Sequence, residues 1–397
     1  LEDQEWVLNK IYELIDKERP DGVLIAGDVY DKSVPAAEAV TVFDRFLTKV
    51  SQLEPKIPVL IISGNHDSPE RLSFGAEILS RQQVYVAGSC PQSENEHLKK
   101  VTFQDAWGET DVWMLPFVKP GYVRKLMEES RKKTDREDGA GQGSDGSQEA
   151  DREPETEREE IRRDYNETVK FLLERENIDT ARRNILISHQ FYTAGGEIPK
   201  TSDSETITVG GLDQVDTACL APFSYVALGH IHRPQSMGRK NIRYCGSMLK
   251  YSVSEWAQEK SVTEVILEAP GQEPVIRLHP LKPLREVCVI RGTLEEILEA
   301  NKDRVSEDYV SIVLTDEQEL YQPKEQLERI FTHILEVRTE RNWKLAKEWE
   351  DGQEEETQTD PKLVFEQFFS QIQGRQLLEE EAEVLEEVFA KVREDEG

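Results

Sequence analysis

Polar residues follow four short apolar runs in this sequence, and their types can bind metal ions or move protons. The runs are 23–26, 57–62, 185–187 and 225–228. The groups after them are Gly27-Asp28, Gly64-Asn65-His66-Asp67, Ser188-His189 and Gly229-His230-Ile231-His232. Apolar runs of this length and β-branched content are typical of strands buried in a sheet. Since open α/β sheets place ligands at the carboxyl ends of their strands, we expect these groups to meet at one sheet edge.

The residues expected to meet supply oxygen and imidazole ligands without a thiolate. They are Asp28, Asn65, His66, His189, His230 and His232. Such a set favours manganese, iron or zinc, and one carboxylate that two ions can share favours a pair of ions ~3.5 to 4 Å apart. The pattern therefore predicts a dinuclear hydrolytic site. Taken alone, each motif also has a structural interpretation, since Asn65-His66-Asp67 could form an Asx turn.

Apolar periodicity around the motifs predicts a layered α/β domain. Helices are predicted over 2–18 and 35–50, where they would cover the sheet, and again over 161–175. Short strands at 84–86, 101–103 and 112–115 predict a second, more antiparallel sheet. The segments 243–251 and 262–267 are expected to complete this domain.

Changes in composition divide the chain into several parts. We expect a first domain over 1–270, with a disordered acidic insertion at about 131–160, and a boundary at the prolines 270, 274, 280 and 283. A small α+β domain is expected over 281–345, with strands at 287–290 and 309–314 and helices at 294–299 and 324–337. An acidic linker, 346–359, and a helical segment, 360–397, follow.

Composition bounds the class of protein. The chain has 397 residues, 37% of them hydrophobic, and a net charge of −30, much of it in acidic runs at 149–160, 348–356 and 379–396. Such runs are usually solvated, so the net charge says little about the site. Four cysteines without paired spacing predict reduced thiols of a cytoplasmic protein. No run approaches the ~20 apolar residues of a membrane span and no signal peptide is visible, so we expect no membrane association.

The motifs closely resemble those of the calcineurin-like metallophosphoesterases, whose pattern is D-x-H, G-D-x-x-[DH], G-N-H-[DE], a later His and G-H-x-H. The last four match Gly27 to Asp31, Gly64 to Asp67, His189, and Gly229 to His232. Within that superfamily, 25–32 and 244–252 are similar to the SbcD family of bacterial double-strand-break repair nucleases. The resemblance is specific from residue 1 to about 267 and looser beyond. It implies a β-sandwich flanked by helices, a small α+β capping domain and terminal helices that bind a partner.

The resemblance also implies roles for single residues. Asp28 and His232 would bind one metal ion, and Asp28, Asn65, His189 and His230 the second, both ions being manganese. His66 resembles the catalytic histidine, which binds no metal and stabilises the developing charge or protonates the leaving oxygen. Asp31 and Asp67 would orient a histidine or the loop.

The first family motif, D-x-H, has no counterpart in the sequence, which starts at Leu1 and enters a predicted helix. Two ligands of one metal ion are therefore absent. We expect an incomplete amino terminus, because loss of a central strand would leave buried backbone groups unpaired. A naturally degenerate site is the alternative.

The function implied is a manganese-dependent DNA nuclease of repair, recombination and replication. It would be an exonuclease on double-stranded DNA and an endonuclease on single-stranded or hairpin DNA, acting with the coiled-coil ATPase SbcC and compatible with a homodimer. The alternatives are a catalytically impaired structural subunit and a phosphodiesterase or protein phosphatase of other substrate. Full retention of the six site residues favours the nuclease. Candidate DNA contacts, with ordinary surface charge as the alternative, are Arg71, Arg124, Lys125, Arg131, Lys132, Lys133, Arg233, Arg239, Lys240 and Arg243.

The segment 360–397 predicts two amphipathic helices with more apolar surface than they can bury alone. In the family the corresponding tail binds the base of the ATPase's coiled coil. Phe365→Glu with Phe369→Glu should therefore abolish copurification with the ATPase, since a few aromatic anchors carry a helix-in-groove contact. Manganese-dependent cleavage by a version with an amino-terminal Asp-x-His strand should stay largely unchanged. Retained copurification, or an unfolded catalytic domain, would show the partner assignment to be wrong.

Overall fold

The first sheet contains three parallel strands, in a computed structural model that describes residues 1–139, 165–205, 213–302, 305–316, 318 and 320–340. The strands are β1 (Val23–Ala26), β2 (Val59–Ile62) and β3 (Val84–Ala87), in the order β1-β2-β3. Helices α1 (Glu2–Glu18) and α2 (Ala37–Ser51) cover its outer face, where Ile15, Phe46 and Val50 pack with Val59 and Ile61. The helices predicted over 2–18 and 35–50 thus form at nearly the expected positions.

Strand β3 was predicted for the second sheet, and this placement is wrong. Val84 of β3 pairs with Val59 of β2 in parallel. The short helices α3 (Pro69–Leu72) and α4 (Ala76–Ser80) make up the connection between the two strands. Parallel neighbours need such a crossover, because a tight turn cannot return the chain to the same end of the sheet.

The second sheet has six strands and is mixed. It contains β4 (Lys99–Asp105), β5 (Gly108–Leu115), β6 (Arg183–Ser188), β9 (Tyr225–Leu228), β10 (Gln235–Met237) and β11 (Arg239–Tyr244), in the order β10-β11-β9-β6-β5-β4. Only β4–β5 and β10–β11 pair antiparallel, and the four central strands run parallel. Since both strand pairs of the first sheet are parallel, the second sheet is the more antiparallel of the two, as predicted. A separate parallel pair, β7 (Phe191–Thr193) and β8 (Gln214–Asp216), lies between β6 and β9 in sequence.

The two sheets face one another across a dry layer. Leu60 and Ile62 of β2 pack there against Met114 of β5 and Ile187 of β6, all essentially inaccessible to water. On the far side of the second sheet, helices α5 (Pro120–Gly139) and α6 (Tyr165–Glu174) bury residues such as Leu126 and Leu172. The predicted α/β architecture, a β-sandwich flanked by helices, is confirmed.

Helix α5 corrects the start of the predicted insertion. It continues to Gly139, so 131–139 is helical. The first turns are held by buried Val123 and Leu126, and the ion pairs Arg124–Glu128 and Lys125–Glu129 support the exposed side at i,i+4 spacing. The remainder of the insertion, 140–160, lies outside the described residues.

Past the second sheet the chain forms two smaller sheets. β12 (Ser261–Ile266) and β13 (Val275–Pro280) pair antiparallel, and β14 (Val287–Gly292), β15 (Ser306–Leu314) and β16 (Phe331–Thr339) form a sheet in the order β14-β15-β16. Helices α7 (Leu294–Asn301) and α8 (Pro323–Leu327) accompany them.

The proline-rich stretch at 270–283 contains strand β13, in which Pro280 pairs with Ser261. One expectation for this region is wrong. The helix predicted over 324–337 ends at Leu327, and strand β16 follows, because Phe331 is buried in a run rich in β-branched and aromatic residues. The acidic linker 346–359 and the helical segment 360–397 lie outside the described residues.

The chain divides into two compact units. One contains Leu1–Ile290, Asn301–Ile312 and Lys324–Glu336. The other includes the described residues 291–300, 313–316, 318, 320–323 and 337–340, and in it the Leu294 N–H donates to the Asp316 carboxylate at 2.9 Å. Across the described residues, no helix has both the length and the apolar character needed to cross a membrane.

Candidate metal centre

Four strands end beside one another, and each carries its polar group just past its last paired residue. Ala26 of β1 pairs with Ile62 of β2, and Ser188 of β6 pairs with Leu228 of β9. The residues that follow the two strands of each pair therefore start side by side at the same end of their sheet. The sequence predicted one sheet edge, whereas the structure uses two facing sheets with two strands from each.

Asp28 leaves β1 in a strained turn. Its φ is 48°, next to Gly27 with φ 85°, and this left-handed region is uncommon for residues other than glycine. The buried Asp67 carboxylate stabilises this turn by accepting the N–H groups of Val29, Tyr30 and Gly64 at 3.1, 3.0 and 2.9 Å. Asp67 thus supports the loop rather than a histidine.

The ring of His189 presents a lone pair to two oxygen atoms. Its Nδ1 lies 2.6 Å from the Ala26 carbonyl oxygen, which can only accept, so Nδ1 carries the hydrogen. In the neutral ring, Nε2 therefore carries a lone pair, and it lies 3.0 Å from Asn65 Oδ1 and 3.1 Å from Asp28 Oδ2. In this neutral form three acceptors converge, whereas in the protonated form Nε2–H donates to Asp28.

His230 brings a second ring to the same point. Its backbone is also left-handed, with φ 87°, and its Nδ1 lies 3.0 Å from Asn65 Oδ1. Ligand atoms of Asp28, His189 and His230 all lie within 4.8 Å of one another. The structure therefore brings together four of the six predicted residues, and we call Asp28, Asn65, His189 and His230 the Asp28 cluster.

Charge and burial set the protonation of this cluster. Burial raises the pKa of the Asp28 carboxyl, but the charge of His189 and hydrogen bonds from His189 and the His66 N–H outweigh it and lower the pKa to about 2. Burial, reinforced by the charge of His189, lowers the pKa of His230 to about 3. For His189 burial lowers the pKa, yet the neighbouring Asp28 charge raises it above its ordinary value. At neutral pH Asp28 is therefore ionised and His230 neutral.

His232 is held by a different set of groups. Its Nδ1 lies 2.7 Å from Ser204 Oγ and 3.4 Å from Glu255 Oε1, and its backbone N–H donates to Glu205. Among the described residues it is not part of the group whose ligand atoms lie within 4.8 Å. Its ring packs against Tyr251, with ring centroids 5.8 Å apart.

His66 lies next to the Asp28 cluster without joining it. Its backbone N–H donates to Asp28 Oδ1 at 3.0 Å, and its ring Nδ1 lies 3.0 Å from the Asp31 carbonyl oxygen. The Asp31 carboxylate is exposed, so Asp31 acts on His66 through its backbone. Among the described residues, the other ring nitrogen of His66 has no hydrogen-bond partner.

The remaining histidines pair with glutamates elsewhere in the fold. His97 lies 3.1 Å from Glu176, His279 lies 3.0 Å from Glu264, and His333 lies 3.6 Å from Glu307. These contacts are typical of structural or surface histidines.

Comparison with known proteins identifies the family of this chain. The sequence profile of the calcineurin-like phosphoesterases matches residues 1–234, which include every predicted site residue. The chain belongs to this family. A second profile, described as the type 5 capsule protein repressor C-terminal domain of SbcD, matches residues 281–373.

Two named relatives show to which branch of the calcineurin-like phosphoesterases the chain belongs. The chain is 32% identical over 340 residues to the SbcD subunit of the nuclease SbcCD from Staphylococcus epidermidis, covering 84% of this chain and 79% of that protein. It is 27% identical over 396 residues to the protein of the same name from Staphylococcus saprophyticus, covering 100% and 94%. The chain is therefore an SbcD-family calcineurin-like phosphoesterase and a phosphodiester hydrolase. The phosphopantetheinyl hydrolase of Mycobacterium tuberculosis is similar with a TM-score of 0.26 and 13% identity over 55% of this chain and 76% of that one, a likeness too weak to carry an argument.

Sequence reasoning missed the groups that hold this phosphoesterase's histidines. The Ala26 carbonyl oxygen cannot be recognised from a side chain, and Ser204, Glu255 and Lys260 are distant from His232 in sequence. Glu255 has one signal, because it closely follows the run 244–252 that resembles the SbcD family. A charged residue there is otherwise indistinguishable from surface charge, although Glu255 is fully buried.

Asp67→Asn should loosen the Asp28 turn. The amide offers one accepting oxygen in place of two, so at least one of the three N–H donors loses its partner, at about 1–3 kcal/mol of unfolding free energy. Because Asp28 lies beside these donors, Mn²⁺ affinity should fall ~10- to 100-fold. Urea unfolding and calorimetric titration would measure both.

Asp31→Asn is the matched control, because its exposed carboxylate holds none of these donors. It should keep the stability and the Mn²⁺ affinity of the native chain. An Asp67→Asn protein that is indistinguishable from this control would refute the assigned role of Asp67.

Proposed function

We propose that this phosphodiester hydrolase is a metal-dependent DNA nuclease that acts with an SbcC-type ATPase in DNA repair and recombination in the cytoplasm. It would degrade double-stranded DNA from ends and cut single-stranded or hairpin DNA internally. The staphylococcal relatives, named as SbcD subunits of SbcCD nucleases, support the substrate and the partner. In this proposal 1–270 is the nuclease domain and 281–345 the capping domain, while 360–397 binds the partner.

The convergence of acceptors in the Asp28 cluster carries the proposal. His189 Nε2 lies 3.0 Å from Asn65 Oδ1 and 3.1 Å from Asp28 Oδ2 in a largely buried place. When the His189 ring is neutral, these three atoms are all acceptors, and acceptors repel one another unless a cation lies between them. Oxygen and imidazole ligands suit manganese, iron or zinc. The residues therefore fit a divalent metal ion, and we propose Mn²⁺.

In this proposal the four residues of the Asp28 cluster would hold one ion, and Asp28 together with His232 would hold a second. Divalent ions there supply Lewis-acid polarisation of a phosphoryl oxygen and activate water at neutral pH. Aromatic rings shield the cluster: Phe117 lies 6.2 Å from the His189 ring and Phe191 lies 6.2 Å from the His230 ring. Exclusion of water strengthens every charge interaction inside.

His66 is the proposed catalytic residue. Its Nδ1 contact with the Asp31 carbonyl requires a hydrogen on Nδ1, as that carbonyl only accepts. When the ring is protonated, Nε2 also carries a hydrogen. It can then donate to the leaving oxygen, as a general acid does.

The chain offers basic side chains for a DNA backbone, although several are already paired. Arg124 and Lys125 contact Glu128 and Glu129, and Arg239 donates to the Leu220 carbonyl oxygen at 3.0 Å. With a sequence pI near 4.7, we propose that the ATPase supplies much of the DNA affinity. A homodimer remains compatible with this arrangement.

A second candidate function is a catalytically impaired structural subunit of the same complex. Among the described residues, His232 lies outside the group of ligand atoms within 4.8 Å of one another, and this observation favours it. The strained Asp28 and His230 backbones argue for the nuclease, because strain of this kind has an energetic cost and concentrates at working sites.

The chain starting at Leu1 should bind one Mn²⁺ tightly and a second weakly. The Asp28 cluster provides four ligands, whereas Asp28 and His232 alone provide two. Calorimetric titration should show one tight site, and a version carrying an Asp-x-His strand before Leu1 should show two. Equal occupancy of both sites without that strand would contradict the ligand assignment.

His66→Ala should separate chemistry from metal binding. In the version with the Asp-x-His strand, we expect Mn²⁺ affinity to stay unchanged and cleavage of single-stranded DNA to fall ~10²- to 10⁴-fold, since His66 acts on the leaving group. Asn65→Ala should lower Mn²⁺ affinity as well, and His97→Ala, which changes a histidine outside the site, should alter neither. A His66→Ala protein that lost the metal would show that the roles of Asn65 and His66 are wrongly divided.

A further inference from the structure

A buried polar cluster holds His232, and no step of the proposed cleavage uses it. We call Ser204, Ser247, Glu255 and Lys260 the Glu255 cluster. Glu255 is fully buried and Lys260 is 6% exposed, and they form an ion pair of 2.6 Å. Desolvation of two charges commonly offsets the attraction between them, so such a pair is weak evidence of stabilisation. The cluster therefore calls for another explanation.

The ion pair fixes the direction of one hydrogen bond. Lys260 Nζ donates to Glu255 Oε2, which favours an ionised carboxylate that can only accept. Ser204 Oγ lies 2.7 Å from Glu255 Oε1, so the Ser204 hydroxyl must donate its one hydrogen there. The hydroxyl oxygen is then an acceptor toward any other neighbour.

That neighbour is His232. Its Nδ1 lies 2.7 Å from Ser204 Oγ, and since Ser204 has no second hydrogen, Nδ1 must be the donor. Glu255 Oε1, at 3.4 Å from the same nitrogen, favours the same arrangement. In a neutral ring with its hydrogen on Nδ1, Nε2 has the free lone pair that a metal ion requires.

The same cluster fixes the backbone of His232. Lys260 Nζ and the Ser247 N–H donate to the His232 carbonyl oxygen at 2.9 and 3.1 Å. Gly246 allows this approach with φ 78°, since a Cβ at that position would lie 2.7 Å from the same oxygen. Ring and backbone are thus set by one group of side chains.

We propose that Glu255 is a positioning residue for His232: through the Ser204 hydroxyl it holds the ring with the hydrogen on Nδ1 and keeps Nε2 available for a divalent cation. Lys260 keeps the carboxylate ionised, so His232 donates to Ser204 and Ser204 donates to Glu255. The purpose of this arrangement rests on the proposed function of His232 as a ligand. The hydrogen-bond order itself requires no metal and no DNA.

The test is the tautomer of His232 in the metal-free chain at about pH 8, read from ring ¹⁵N chemical shifts after ¹⁵N-histidine labelling. The His232 signals, assigned by their loss in His232→Gln, should show a protonated Nδ1 and an unprotonated Nε2. In Glu255→Gln, Lys260 should hold the amide oxygen and turn the NH₂ toward Ser204. Ser204 would then accept from the amide and donate to His232 Nδ1, and the population should invert to mostly Nε2–H.

Ser252→Ala is the matched control. It removes a 3.1 Å hydrogen bond to the same Glu255 Oε1 without touching the bond between Ser204 and His232, so the native tautomer should persist. The His189 ring, whose Nδ1 is fixed by Ala26, should not change in any variant. An Nε2–H tautomer or an even mixture in the native chain would overturn the proposal, as would an unchanged tautomer in Glu255→Gln. If Glu255→Gln does not fold, the His232 tautomer measured in the native chain is sufficient to support or overturn the proposal.

Mn²⁺ titration of the same samples separates this inference from the proposed function. Binding at the Asp28 cluster involves none of the residues of the Glu255 cluster. A native chain that failed to bind Mn²⁺ would contradict the metal-dependent nuclease and leave the tautomer result standing. A native chain that bound Mn²⁺ but had His232 as Nε2–H would contradict only the role of Glu255.

Discussion

The site depends on how closely the two sheets approach each other at their carboxyl ends. Ala26, the last residue of the first sheet's β1, uses its carbonyl to fix the His189 ring, which belongs to the second sheet. A Cβ on Gly27 would lie 2.8 Å from His189 Cγ, and one on Gly229 would lie 2.7 Å from His189 Nδ1. Glycine is therefore required on both sides, since any side chain would separate the sheets and release the ring. The dry layer of Leu60, Ile62, Met114 and Ile187 sets this spacing over the length of the strands.

The sequence could predict that the residues of the Asp28 cluster lie together, because each follows a run of strand character by two or three residues. Asp28, Asn65, His189 and His230 follow such runs, and parallel strands bring their carboxyl ends to one level by their pairing. The sequence does not indicate which strands share a sheet. It placed 84–86 in the wrong one, because parallel pairing over a crossover has no local signal. It also mistook 331–337 for helix, where pairing with a neighbouring strand overrides a periodicity that is ambiguous in so short a run.

The groups behind the ligands could not be predicted, for a different reason. His189 depends on a backbone carbonyl, which any residue at position 26 would provide. His232 depends on Ser204 and Glu255, which lie 28 and 23 positions away in sequence and meet only in the folded chain. Periodicity assigns a lone glutamate to the surface, whereas Glu255 is buried and paired with Lys260. Such contacts carry no sequence spacing, so residues of this kind are found only from coordinates.

The two histidines illustrate two ways of fixing a tautomer. For His189 the acceptor is part of the backbone, so the ring is set as soon as the sheets pack, and no side-chain substitution at Ala26 removes it. For His232 the acceptor is a serine hydroxyl whose own direction depends on a buried charge and on Lys260. The first arrangement is as rigid as the sandwich. The second requires the end of strand β9, the loop at 202–205 and the segment at 247–260 to be in place together. Three distant segments of the chain must therefore be ordered before the His232 ring is held with its hydrogen on Nδ1. An ordered His232 ring therefore requires the whole domain that contains it to be folded. The Asp28 cluster requires only that its two sheets pack together.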